Sequence, residues 1–300
     1  MDRVPETPSP PSGPGLKDLQ AYAGSFNWLA TRTRTDLSYA TSLLASTACY
    51  HSEWSNDLAK KALRDLAGTI EQGLLMTREG DDNDLVVYSD AGFAGADTKS
   101  QSGLVILWGG SIITWRSSKA SLSALSTAEA ELCAAALGWQ VTEGLRYLLM
   151  TLNLHASAIR VMIDNKAALT AATLGASWRT RYYAVRAARL LEESAQEQVI
   201  ISHCPTKLMV ADGLTKLATA EVLEDLRRVM NGQHRTAALS DTQSRTAAAY
   251  QSRRDWSPPQ RRAHGRDGPA GTGIPRVASH ILYEDYPTHH LARFKDCSPP

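Results

Sequence analysis

The sequence predicts an α/β domain on a mixed five-stranded sheet, in the order βββαβααβα, and three observations carry that prediction. Two apolar runs of strand length, Leu85-Val-Val-Tyr-Ser-Asp and Gly103-Leu-Val-Ile-Leu-Trp, follow the polar turn Gly80-Asp-Asp-Asn-Asp. Gly109-Gly110 joins the second run to Ser111-Ile-Ile-Thr-Trp-Arg, and paired glycines reach the positive φ values of a two-residue hairpin turn. After the hairpin, strand-length runs alternate with helical patterns, which implies parallel strands with right-handed crossovers.

The elements follow in order. Residues 1–15 are a Pro/Ser/Gly-rich linker that buries too little apolar surface to offset its ordering entropy. Residues 16–78 form a helical module, with one pattern from Leu16 to Ala45 and another from Asn56 to Thr69. The α/β domain occupies 85–230. Its three hairpin strands lead to a long helix from Thr127 to Leu152, a strand Ala158–Ile163, helices Lys166–Leu174 and Thr180–Gln196, a strand Val199–His203 and a last helix Lys207–Met230. Residues 231–300 lack any hydrophobic period and are expected to be a disordered tail.

Composition narrows the function classes. A net charge of +1 gives no bulk field for a nucleic-acid or membrane partner, so such a partner must be argued from a local site. No apolar stretch approaches the roughly 20 residues that span a bilayer. Cys49, Cys133, Cys204 and Cys297 form no CxxC pair, which gives neither a structural zinc site nor a disulfide framework.

The chemistry lies in acidic residues at element ends. Asp90 ends the first strand, Glu131 sits in the first turns of the long helix, Asp164 ends the fourth strand, and Asp212 lies in Ala211-Asp-Gly-Leu-Thr-Lys. Glu129 has a structural task, because Ser126-Thr-Ala-Glu129 is a capping box. Glu131 lies on the sheet-facing stripe with Ala135, Gly138, Thr142 and Leu145, where a carboxylate needs a partner that a metal supplies. Converging carboxylates without His or Cys form a hard oxygen set suited to Mg²⁺ or Mn²⁺, and two such ions serve phosphoryl transfer.

Four motifs in order, Tyr88-Ser-Asp-Ala-Gly-Phe-Ala-Gly, Ser126-Thr-Ala-Glu-Ala-Glu-Leu, Ile163-Asp-Asn-Lys-Ala-Ala and Ala211-Asp-Gly-Leu-Thr-Lys, resemble the ribonuclease H domain of copia-type retrotransposon polyproteins. Upstream, Trp28-Leu-Ala-Thr-Arg-Thr-Arg-Thr-Asp-Leu-Ser-Tyr-Ala looks like the tail of that family's reverse transcriptase, which makes 16–78 a remnant of its C-terminal region. The resemblance implies a ribonuclease H-like fold, cleavage of the RNA strand of RNA/DNA hybrids with two Mg²⁺ or Mn²⁺ ions, and a cytoplasmic setting. It places metal ligation and catalysis on Asp90, Glu131, Asp164 and Asp212. The alternative is a catalytically inactive, nucleic-acid-binding relic of that domain. No Tyr-x-Asp-Asp is present, so polymerase activity is not expected from this chain, which looks like the C-terminal piece of a polyprotein whose palm region is a possible partner.

The family pattern is not matched everywhere. Gly92 and Phe93 stand where the family has Asp and Trp, and Thr35 where the polymerase tail has Pro. A positioning His is replaced within Arg181-Tyr-Tyr-Ala-Val, and Gly213 is expected to loosen the helix carrying Asp212 by up to roughly 1 kcal/mol. For nucleic-acid binding the candidates are Arg179, Arg181, Arg186 and Arg189, with Ser118 and Lys119 between hairpin and long helix. For the arginines, a solvated helix face balanced by Glu192 and Glu193 is the competing reading. His203 is read as structural, and Trp108, Trp115 and Trp139 as core residues.

Overall fold

The computed structural model describes Val4 and residues 15–233, apart from 78–82, 94–98, 122, 157, 177 and 196–198. The expected linker and tail therefore lie almost wholly outside the described residues. Strands β1 (Leu85–Gly92), β2 (Gln101–Trp108), β3 (Ser111–Lys119), β4 (Ile159–Ile163) and β5 (Val199–His203) form one sheet in the order β3-β2-β1-β4-β5. β1–β2 and β2–β3 pair antiparallel, whereas β1–β4 and β4–β5 pair parallel, as the hairpin and crossover arguments require. Gly109 and Gly110 both take positive φ, 57° and 81°, in the β2–β3 turn.

Seven α-helices surround the sheet among the described residues: α1 (Gly15–Ala30), α2 (Ser38–Thr47), α3 (Ser52–Gly68), α4 (Thr127–Thr151), α5 (Lys166–Leu174), α6 (Ala184–Ser194) and α7 (Ala220–Met230). The period-two alternation of the strands divides the core. Leu85 and Val87 face one side, where Leu132, Ala135 and Trp139 of α4 and Leu190 of α6 cover them. Tyr88, Val105 and Met162 face the other side, against Met209, Leu214, Leu226 and Met230. The capping box at α4 forms largely as expected: the Ser126 hydroxyl accepts from the Glu129 amide at 3.2 Å, and the Glu129 carboxylate accepts from the Leu125 amide at 2.6 Å.

Several boundaries differ from the sequence reading. The expected helix Lys207–Met230 is three pieces: 3-10 turns Thr206–Leu208 and Val210–Leu214, then α7. Gly213 lies in the second turn, a poor site for helix propagation, and the Leu214 carbonyl accepts from the Ser117 hydroxyl at 2.6 Å instead of continuing a helical ladder. Gly213 thus loosens no long helix. The expected helix from Thr180 is a 3-10 segment, Trp178–Tyr183, followed by α6. Ser118 and Lys119 belong to β3, paired with Ser102 and Gln101, because the hairpin runs longer than its apolar stretch. The Leu16–Ala45 pattern is α1, a 3-10 turn Thr35–Leu37, and α2.

The helical module packs on the β3 side of the sheet. The Trp115 indole N–H donates to the Ala30 carbonyl at 2.6 Å, and Gln101 Nε2 donates to Ser42 at 3.1 Å. A buried ionic network fastens its other end. Asp36 accepts from Arg34 at 2.8 and 2.9 Å and from Arg227 of α7 at 2.9 Å, while Arg227 also reaches Asp65 at 2.5 Å. Burial raises the pKa of Asp36, but the two guanidiniums outweigh it and hold the carboxyl below the ordinary range.

Candidate active site

The sheet's central pair of parallel strands builds the site. Asp90 lies near the end of β1, and Asp164 follows the last residue of β4, which pairs directly with β1. Strand ends in such sheets project groups into a common cleft. Helix α4 crosses this end with its first turns, where Ala130 and Ala134 pack on Ala91 and bring Glu131 beside Asp90. Asp90, Glu131 and Asp164 each offer a carboxylate oxygen within 4.8 Å of the others.

The electrostatics follow from burying like charges together. Burial, then repulsion from Asp90 and Asp164, pushes Glu131 up to about 9. Burial likewise raises Asp90 to about 6, with the Asp212 and Asp164 charges adding to it and the Thr215 hydroxyl opposing. Glu131 Oε2 is buried and has no hydrogen-bond partner. An orphaned carboxylate oxygen beside two further carboxylates fits a hard divalent cation, whose charge would reverse the cost of gathering these acids.

Asp212 flanks the trio. Its carboxylate pairs with Lys216 at 2.8 Å, and its charge is felt by Asp90. Three supporting residues escaped the sequence reading. The Thr215 hydroxyl donates to Asp90, the Thr206 hydroxyl donates to Asp164 Oδ2 at 3.1 Å, and Lys216 holds Asp212. Thr215 and Lys216 lie within the Ala211-Asp-Gly-Leu-Thr-Lys motif, so the motif itself was the available signal. Thr206 had none beyond its place after Pro205. His203 Nε2 lies 3.1 Å from the Asp164 carbonyl oxygen, in keeping with a structural role.

Close packing seats the turn that carries Asp212. A Cβ on Gly103 would fall 2.7 Å from Thr215 Cγ2 and 2.8 Å from the Ala211 oxygen, and one on Gly92 would fall 2.5 Å from the Thr215 oxygen. Gly92 therefore serves the close approach of residue 215 to β1. Among the arginines, Arg189 is committed to Glu193 at 2.6 Å and lies 5.1 Å from the Trp139 ring centroid. Arg181 is exposed, Arg186 is half-buried near Cys133 of α4, and the Arg179 side chain lies outside the described ones. Ser118 is half-buried and accepts from Arg116 Nε at 3.0 Å, with Lys119 exposed beside it.

The strand order and crossovers are those of the ribonuclease H-like fold that the motifs implied. In sequence the chain is similar to the Transposon Ty1-JR1 Gag-Pol polyprotein of Saccharomyces cerevisiae, 27% identical over 207 residues that cover 67% of this chain and 12% of the relative. It is equally similar to the Truncated transposon Ty1-A Gag-Pol polyprotein of that yeast, covering 17% of it. The chain thus spans less than a fifth of these relatives' length, and the likeness bears out the resemblance to retrotransposon polyproteins. No protein-family model matches. Solved structures with similarity include RNase H1 from the halophilic archaeon Halobacterium salinarum NRC-1, 19% identical with a TM-score of 0.35, covering 47% of this chain and 98% of that one. Another is LC11-RNase H1 in complex with RNA/DNA hybrid, 17% identical with a TM-score of 0.34, covering 44% and 94%. Among the described residues no helix is long and apolar enough to cross a membrane.

Proposed function

We propose that this chain is a metal-dependent endoribonuclease that cleaves the RNA strand of RNA/DNA hybrids as part of a retrotransposon polyprotein. The observation that carries the reading is the meeting of Asp90, Glu131 and Asp164 with one buried oxygen left unpartnered. These three, with Asp212 alongside, would hold two Mg²⁺ or Mn²⁺ ions. Such ions supply a water of lowered pKa and neutralise charge on the phosphate under attack.

The chain's own groups do the positioning. Thr215 and Thr206 orient the carboxylates of Asp90 and Asp164 by direct hydrogen bonds, and Lys216 steadies Asp212. A hybrid is recognised by its A-form shape and ribose 2′-hydroxyls rather than by base sequence. Arg179, Arg181 and Arg186 on one flank, and Ser118 and Lys119 on the other, are the residues for phosphate contacts. The polyprotein's palm region is the natural partner for presenting the hybrid.

The test incubates the full chain with an end-labelled hybrid in Mg²⁺, Mn²⁺ or EDTA beside Asp90→Asn. Cleavage that leaves 5′-phosphate and 3′-hydroxyl ends, needs the metal and disappears in the variant is the expected result. A folded protein that binds the hybrid but yields no product is the inactive relic instead.

A further inference from the structure

A groove of about 500 Å³ lies between the helical module and β3, outside the carboxylate site. Its helical bank carries Asn27, Thr41 and Ser46, and its strand bank carries Arg116, Ser118 and Lys119. The seam beneath is fixed, because Gln101 Nε2 donates to Ser42 of α2 at 3.1 Å and to Ser117 of β3 at 2.9 Å. Thr41 is 4% exposed, lines the groove, and its hydroxyl makes no hydrogen bond within the protein.

Sheet register relates this groove to the carboxylates. Asp90 pairs with Gly103, and Gly103 pairs with Ser117, so Ser117 stands level with Asp90 two strands away. Two strand spacings are about 10 Å. Arg116 and Lys119, which bracket this level, are exposed and have no carboxylate partner among the described residues. They supply positive charge where the neighbouring cleft is strongly negative. A nucleic-acid duplex carries one phosphate charge for about every 1.7 Å of axis, so a duplex seated on the carboxylates has other phosphates within that distance.

We infer that this groove is a second nucleic-acid contact, holding the sugar-phosphate backbone of the hybrid beside the scissile position, with the helical module as one of its walls. Arg116 and Lys119 meet phosphate charge, while Asn27 hydrogen-bonds backbone oxygens and Ser46, whose proton goes to the Leu43 carbonyl at 2.9 Å, accepts from a ribose hydroxyl. The inference rests on the hybrid-nuclease reading and makes the module part of the substrate surface.

The experiment measures anisotropy of a labelled RNA/DNA hybrid with the full chain in EDTA across a salt titration. It compares wild type, Asn27→Ala, Arg116→Ala/Lys119→Ala and Lys119→Glu, each checked by circular dichroism and thermal melting. The double variant is expected to bind at least about tenfold more weakly, with the log-log salt slope reduced by about 1.8, or 0.9 for each phosphate that is no longer neutralised. Asn27→Ala is expected to weaken binding severalfold with the slope unchanged, since it removes no charge. Affinities within twofold of wild type and one common slope, in folded variants, overturn the groove. Wild-type cleavage of the same hybrid in Mg²⁺ is scored separately. Cleavage with groove-independent binding defeats this inference alone, whereas groove-dependent binding without cleavage defeats only the nuclease.

Discussion

Glu131→Gln separates a functional carboxylate from a structural one, because the two readings demand opposite signs. Metal-free Glu131 is held near pKa 9 by burial and by its acidic neighbours, against an ordinary value of 4.5. At pH 7.5 the folded protein keeps it protonated while the unfolded chain ionises it, so unfolding releases a proton and is favoured as pH rises from about 4.5 to 9. Three pKa units at about 1.36 kcal/mol each set an upper bound near 4 kcal/mol for the cost at that pH. Glutamine keeps the shape and an N–H for Asp90 but never ionises. In EDTA at pH 7.5 the variant should therefore be more stable than wild type by about 1 to 4 kcal/mol, with the gain vanishing near pH 4.5. In Mg²⁺ it should lose cleavage by at least about a hundredfold, and metal should flatten the wild-type pH slope. Urea denaturation at pH 4.5, 6, 7.5 and 9, with and without metal, reads the first set, and hybrid cleavage reads the second. A Gln variant less stable than wild type at pH 7.5 in EDTA, or one that still cleaves, would refute the reasoning.

Three further outcomes follow from the packing and charge already described. Thr215→Val removes the hydroxyl that orients the Asp90 carboxylate, and cleavage in Mg²⁺ should fall about tenfold, as a comparison of rates at one pH will read. Gly103→Ala drives a methyl group against Thr215, Ala211 and Leu214, and should cost about 1–3 kcal/mol by denaturant midpoint. Arg227→Ala strips Asp36 of one of its two guanidiniums and should cost about 3 kcal/mol at neutral pH. Because the Asp36 pKa is depressed, its contribution is present above the unfolded value of 3.8 and is lost as pH falls through the lower folded one, so the loss on Arg227→Ala should shrink in acid.

The sheet was legible because strand runs, a Gly-Gly hairpin and alternating crossovers leave few topologies, and all five strands overlap the runs expected of them, the hairpin strands running two or three residues longer. Glu131 was separable from Glu129 because a capping box accounts for one acid and a sheet-facing stripe strands the other. The region around Asp212 was not legible, since hydrophobic spacing from Lys207 to Met230 suits a helix and the break arises from tertiary contact. Gly103 admits the turn, and Ser117 takes the Leu214 carbonyl, across a separation of 97 residues. The Arg34–Asp36–Arg227 network was equally hidden, because two of its members are adjacent in motif and the third lies far along the chain.

That last separation bears on synthesis. Asp36 and Arg227 are 191 residues apart, and a ribosome working at about 5–20 residues per second needs roughly 10–40 seconds to make the stretch between them. Throughout that interval the newly made helical module has Arg34 for Asp36 but lacks the second cation and the helix that bears it. The sheet must be translated before its upstream neighbour is finished, so the module is made before the sheet and locked after it. A nascent chain halted before Arg227 should accordingly expose the module to protease, and release of the next few dozen residues should protect it.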